Sequence, residues 1–101
     1  MIIYNVTVKV HPTIVEAWVR WMKEEHMPEL QRTGLFTDYR LCRLLEQDDR
    51  EGPTFSAQYF CDSMEDYKEY INHHADAMRQ KGLKKFGDKF IAFRTVMEMV
   101  G

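Results

Sequence analysis

The chain has 101 residues, 45% of them apolar, with 16 acidic side chains against 14 basic ones. One domain of that size buries roughly 65% of its unfolded surface around a modest core. The net charge of −2 excludes the basic balance of a nucleic-acid or acidic-membrane partner, and no apolar run is long enough to span a bilayer.

Ile2 to Val10 alternates, with Ile2, Tyr4, Val6, Val8 and Val10 on one face and Ile3, Asn5, Thr7 and Lys9 on the other. Period two with β-branched residues is a strand, and it ends where His11-Pro12 removes a ladder donor. This start also lacks the basic region and small-residue cleavage site of a signal peptide, so the expected location is cytoplasmic. Thr13 to Glu16 has the spacing of a capping box and opens a predicted helix. Val15, Trp18, Val19, Met22 and His26 form its apolar side. Pro28 predicts a kink or restart, and Gly34 a left-handed end.

Leu35 to Glu46 and Thr54 to Cys61 are predicted as hairpin arms, with Cys42 about opposite Gln58. In that register Leu35, Tyr39, Leu41 and Leu45 share a face with Phe55, Ala57, Tyr59 and Cys61. The cysteines then point to opposite faces roughly 10 Å apart, beyond the roughly 7 Å reach of a disulfide. Two free thiols are expected. Ser63 to Asp66 is a second capping box. Met64, Tyr67, Ile71, His74 and Met78 form the next helical stripe, Gly82 is its predicted end, and Phe90 to Val100 is the last strand.

The order β-α-β-β-α-β predicts an α+β, ferredoxin-like single domain over residues 1–101. Four antiparallel strands in the order 4-1-3-2 carry both helices on one face. The other face is expected to hold Asn5, Thr7, Arg40, Ser56, Gln58 and Arg94 among Ile3, Phe36, Phe60, Phe90, Ala92 and Val96. Such a mixture is too apolar for water and too polar for a sealed core. A homodimer packed sheet against sheet resolves it.

Met1 to Val8, Trp21-Met-Lys-Glu-Glu-His26-Met-Pro28, Gln58-Tyr-Phe, Ser63-Met-Glu-Asp-Tyr and Phe86-Gly-Asp-Lys-Phe-Ile-Ala-Phe-Arg94 together resemble a family of small bacterial proteins of unknown function. That family is similar to the dimeric α+β barrel superfamily, which includes cofactor-free monooxygenases of antibiotic biosynthesis, haem-degrading monooxygenases, muconolactone isomerases and stress-responsive barrel proteins. The resemblance implies a dimeric barrel and supplies no catalytic set. The haem-degrading relatives use an Asn, a Trp and a His. Asn5 and His74 match two of these, but neither tryptophan lies on the second helix, so haem chemistry is not expected.

His26 is the candidate catalytic residue, able to exchange a proton near neutral pH just before Pro28. Its structural alternative is a hydrogen bond to backbone freed by Pro28. Arg40 and Arg94, read onto one sheet face, are candidates for holding a carboxylate or phosphate; the alternative is pairing with Asp38 and Glu98. Asn5, Gln58 and His74 are candidate polar contacts to a ligand. Trp18 is expected on the sheet, and Trp21 at the helix edge near dimer or ligand. His73 and His74 diverge by about a hundred degrees on a helix, and no Cys-x-x-Cys exists, so no metal and no cofactor are expected. The lysines at 81, 84, 85 and 89 are read as a solvated loop, and no glycine-rich phosphate loop is present. Three functions fit. The first, placed ahead, is a homodimer binding a small, partly apolar, possibly anionic ligand between sheet and helices. The others are a cofactor-free monooxygenase or isomerase using His26, and a ligand-free interaction or scaffolding dimer.

Overall fold

The computed structural model describes residues 1–101. Strand β1 (Ile2–Val10) leads through a 3-10 turn into helix α1 (Val15–Trp21), a π-helical segment (Met22–His26) and helix α2 (Met27–Arg32). Strands β2 (Asp38–Arg43) and β3 (Thr54–Cys61) form the hairpin. Helices α3 (Met64–His73) and α4 (Ala75–Phe86) and strand β4 (Phe90–Glu98) complete the chain. The sheet order is β2-β3-β1-β4, all antiparallel, which is the expected ferredoxin-like topology. No helix is long and apolar enough to cross a membrane.

Pro28 lacks the N–H for an ordinary helical bond and its ring crowds the preceding turn. The helix widens instead of breaking: the Met27 N–H reaches back five residues to the Met22 carbonyl. Such a π turn moves every following side chain around the helix axis. The expected Thr13 capping box does not form. The His11 ring takes that place, accepting from the Thr13 N–H at 3.2 Å. Ser63 does cap α3, accepting from the Asp66 N–H at 3.2 Å. Gly34, at φ +82°, turns the chain out of α2.

The hairpin register differs from expectation by two residues, with Cys42 opposite Ser56 and Arg40 opposite Gln58. An even shift leaves each side chain on its predicted face, because pleating repeats every two residues. Both cysteines are free. Strand β4 overturns an expectation of consequence. Val10 pairs with Phe90, Val8 with Ala92, Val6 with Arg94 and Tyr4 with Val96. Phe90, Ala92, Arg94 and Val96 therefore face the helices, and Ile91, Phe93, Thr95 and Met97 face outward. Both alternations along β4 are rich in apolar residues, so period two alone did not choose between them. Phe36 also lies inside, because it precedes β2 and escapes its alternation. Its ring packs 5.0 Å from that of Tyr70 and 5.5 Å from that of Tyr59.

The core fills the space between the inner sheet face and the helices. Trp18, Met22, Met27 and Leu30 from the first helical layer meet Val8, Val10, Phe55 and Tyr59 from the sheet. Tyr70, Ala75, Met78 and Phe86 close the other half. No polar or charged residue is fully buried. The outer face is mixed as expected, but its apolar part comes from Ile3, Phe60, Ile91, Phe93 and Met97. Phe93 is 66% exposed and Ile91 59%.

Candidate functional site

A cavity of about 60 Å³ opens between the inner sheet face and the helices. Val6, Val8, Met22, Leu30 and Met78 make it apolar, and Tyr4, Tyr59, Tyr70, Trp18 and Trp21 add aromatic walls. Its only charged lining groups are Arg79 from α4 and Arg94 from β4, joined by the His26 ring. No carboxylate lines it, and neither arginine is in an ion pair with a carboxylate.

The π segment places His26 here. Its ring stacks on Trp21 with centroids 4.5 Å apart and planes 21° apart, while Phe86 meets the Trp21 edge at 5.6 Å. Trp21 and His26 also line a charged outer cleft with Glu24, Glu29, Arg32 and Lys81. Lys81 clamps Glu29 there with two 2.6 Å hydrogen bonds, tying α4 to α2. Nδ1 of His26 is buried with no hydrogen-bond partner, so the expected bond to backbone freed by Pro28 does not involve it. Burial lowers the His26 pKa to about 4; Glu29 opposes that shift, while Lys81 and Arg94 extend it. The imidazole is neutral at pH 7. It accepts or donates hydrogen bonds, but it holds no imidazolium proton to deliver as an acid near neutrality.

Arg79 carries the second orphaned group: its Nε is buried and has no partner. The Tyr4 hydroxyl beside it favours the charged guanidinium and raises its pKa. Tyr70 lies within electrostatic reach of both arginines. Burial nonetheless dominates and lifts its pKa well above the usual phenol value, as it does for Tyr59. These phenols stay protonated and can donate to an anion. Charge and donors thus converge on a largely apolar space that supplies no counter-ion of its own.

The candidates read from sequence divide between two faces. His26, Trp21 and Arg94 meet in the cavity. Asn5, Arg40 and Gln58 lie on the outer face, so Arg40 and Arg94 do not share a cleft. Arg40, Gln58, Asn5 and Thr95 form one row across the four strands. Arg40 stacks over Phe60 at 5.3 Å and does not pair with Asp38. Asn5 accepts from Ser56 at 2.6 Å and donates to Thr7 at 3.1 Å, which satisfies it locally. His74 marks the break between α3 and α4, stacked on Tyr70 at 6.2 Å, and does not line the cavity. Asn5 and His74 therefore lie on opposite sides of the sheet. No group of three His, Cys, Asp or Glu side chains is placed to hold a metal ion.

Sequence reasoning missed Arg79, Tyr4 and Tyr70. Arg79 reads as a solvated helix flank, but an arginine stem can lie along apolar surface while its head reaches a pocket. Gly82 was expected to end the helix; α4 instead runs to Phe86, and Gly87 at φ +60° ends it. Gly82 is interior because the Trp21 ring lies over it, 3.5 Å from where a Cβ would stand. That is ordinary contact distance, and alanine is the better helix former by about 1 kcal/mol. Gly82→Ala is expected to raise stability by up to that amount in urea denaturation while narrowing the cavity. A variant less stable than the parent would show that Trp21 cannot tolerate the added methyl.

The sheet order, the helices on one face and the cavity between them define a ferredoxin-like α+β protein. Residues 1–100 match the family described as domain of unknown function (DUF4286), and the chain belongs to that family. No curated protein matches it. Among solved structures, it is similar to a dimeric ferredoxin-like protein from an uncultured marine organism, with a TM-score of 0.71 at 11% identity, covering 99% of this chain and 97% of that one. It is also similar to an ethyl tert-butyl ether D (EthD) family protein of Bacillus halodurans, with a TM-score of 0.67 at 13% identity, covering 99% and 100%. A de novo designed protein with a ferredoxin fold gives 0.52 at 20% identity, covering 99% and 87%. At these identities the likeness speaks for the fold alone.

Proposed function

We propose that the protein is a homodimer that binds a small, partly apolar anion in the cavity between sheet and helices. The observation that carries this reading is the pair Arg79 and Arg94: two guanidiniums without carboxylate partners on a cavity otherwise apolar and aromatic. The Arg79 Nε–H is buried without an acceptor, which is costly, and an anion relieves that cost. Trp18 and Trp21 line the same cavity, so their fluorescence reports its occupancy. Butyrate and benzoate are titrated against 1-butanol and benzyl alcohol. At least one anion is expected to bind about tenfold tighter than its alcohol, and Arg94→Gln to remove that preference. Alcohols binding as well as both acids would refute the reading.

The enzymatic alternative needs His26 as a base. With a pKa of about 4 it is a weak one, so binding stands ahead of isomerase or oxygenase chemistry. Dimerisation is supported by the exposed outer residues Ile91, Phe93 and Met97 and by the dimeric marine relative. Burying that face against a second copy removes apolar area from water, and a sheet face paired with itself obeys two-fold symmetry. Sedimentation equilibrium at micromolar concentration is expected to give twice the chain mass of 12.1 kDa. Phe93→Glu is expected to return it to the single-chain value. A monomeric parent protein would contradict the dimer. The free thiols Cys42 and Cys61 suit the reducing cytosol, where we place the protein.

A further inference from the structure

We infer that the ligand class is the short-chain aliphatic monocarboxylates, held with the carboxylate between Arg79 and Arg94 and with the tail against the aliphatic side chains of the cavity. The inference rests on the anion reading above and adds to it a size, a shape and a hydrogen-bond pattern. Size comes first. A cavity of about 150 Å³ is known to hold benzene. At about 60 Å³, this one is too small for a ring. In the same proportion it encloses roughly two or three non-hydrogen atoms, at most the length of a propyl tail. Trp21 cannot easily swing away to make room, because His26 stacks on one face and Phe86 meets its edge.

Shape follows from the lining. Val6, Val8, Met22, Leu30 and Met78 line the cavity with hydrocarbon, so a ligand packed against them needs an apolar part. The polar pattern comes from the two orphaned atoms. Arg79 Nε carries a proton at every accessible pH and therefore requires an acceptor. His26 Nδ1 is also without a partner, and the neutral ring can place its single proton there. Two such donors suit the two oxygens of one carboxylate. Arg94, on the solvent-exposed side of the lining, supplies the second positive charge. Phosphate and sulfate have the charge but no hydrocarbon part to pack against the aliphatic lining.

The test is a homologous series of sodium salts from acetate to hexanoate, with benzoate and inorganic phosphate, read by tryptophan fluorescence and titration calorimetry on the intact protein. Each buried methylene contributes about 0.8 kcal/mol, a factor of roughly four in affinity. Affinity is expected to climb about fourfold per carbon from acetate to butyrate, then level or fall, with benzoate and phosphate weaker than butyrate. Arg79→Met and His26→Phe are expected to weaken butyrate at least tenfold and fivefold, with melting temperatures recorded to confirm folding. Arg79→Lys restores charge without the Nε–H and is expected to recover only part of the loss. A steady climb through hexanoate, or benzoate binding tighter than butyrate, overturns the short-chain assignment and leaves the anion reading standing. Carboxylates binding no better than 1-butanol and benzyl alcohol overturn both.

Discussion

Gly52→Ala is expected to destabilise the fold by about 4 kcal/mol or more, a large share of a small domain's stability. Gly52 has φ +117°, a conformation that side-chain-bearing residues rarely adopt. A Cβ there would stand 1.8 Å from the Val10 carbonyl oxygen and 2.8 Å from its carbon, both backbone atoms. Neither side can yield cheaply. Val10 is fully buried, pairs with Phe90, and donates its N–H to Pro53 at 3.0 Å. The Lys9 ammonium fixes the loop further, donating to the carbonyls of Gly52 at 3.0 Å and Asp48 at 3.2 Å. Relief requires parting the hairpin loop from the end of β1. Urea denaturation measures the effect, and a loss below about 1 kcal/mol would mean the loop has another conformation.

His26 sets the second large effect, a loss of stability on mild acidification. Its folded pKa of about 4 lies below the ordinary value of 6.5. Between those values the unfolded chain binds a proton at this site and the folded chain does not. Stability therefore rises with pH across the window, is constant in this respect above about 6.5, and falls as pH drops toward 4. The shift corresponds to about 3 kcal/mol. His26→Asn removes the titration while keeping a polar side chain. Urea denaturation of both proteins at pH 7.0, 5.5 and 4.0 isolates it from the carboxylates, which titrate in each. The difference between parent and variant is expected to move by about 3 kcal/mol against the parent over that range. Parallel profiles would place the ring in water.

The fold was legible because the chain repeats simple signals. The strict alternation of β1 named its buried face, and the buried face of β3 followed from Phe55, Ala57 and Tyr59. Ser63 and Pro28 marked where helices begin and deform. Less of the site could be read, for reasons particular to three residues. Arg94 sits on an edge strand with apolar residues on both faces, so only the register against Val6 decides which way it points. Arg79 lies one residue beyond an apolar stripe and looks like solvent. Gly82 resembles a helix end in any sequence, because its use as a seat for the Trp21 ring depends on a contact across sixty-one residues. Pattern within an element was readable; which partner it meets was not. His26 stood out in the sequence as a candidate, but its charge state depends on its burial and on Glu29, Lys81 and Arg94, which its own helix pattern does not show.

An amide and side-chain NMR titration with sodium butyrate would locate the binding surface directly. Saturable shifts are expected at the Trp18 and Trp21 indole N–H signals, the Arg79 and Arg94 Nε–H signals and the ring of His26, all around the cavity. Shifts confined to Asn5, Arg40, Gln58 and Thr95 would place the ligand on the outer face of the sheet and contradict the account.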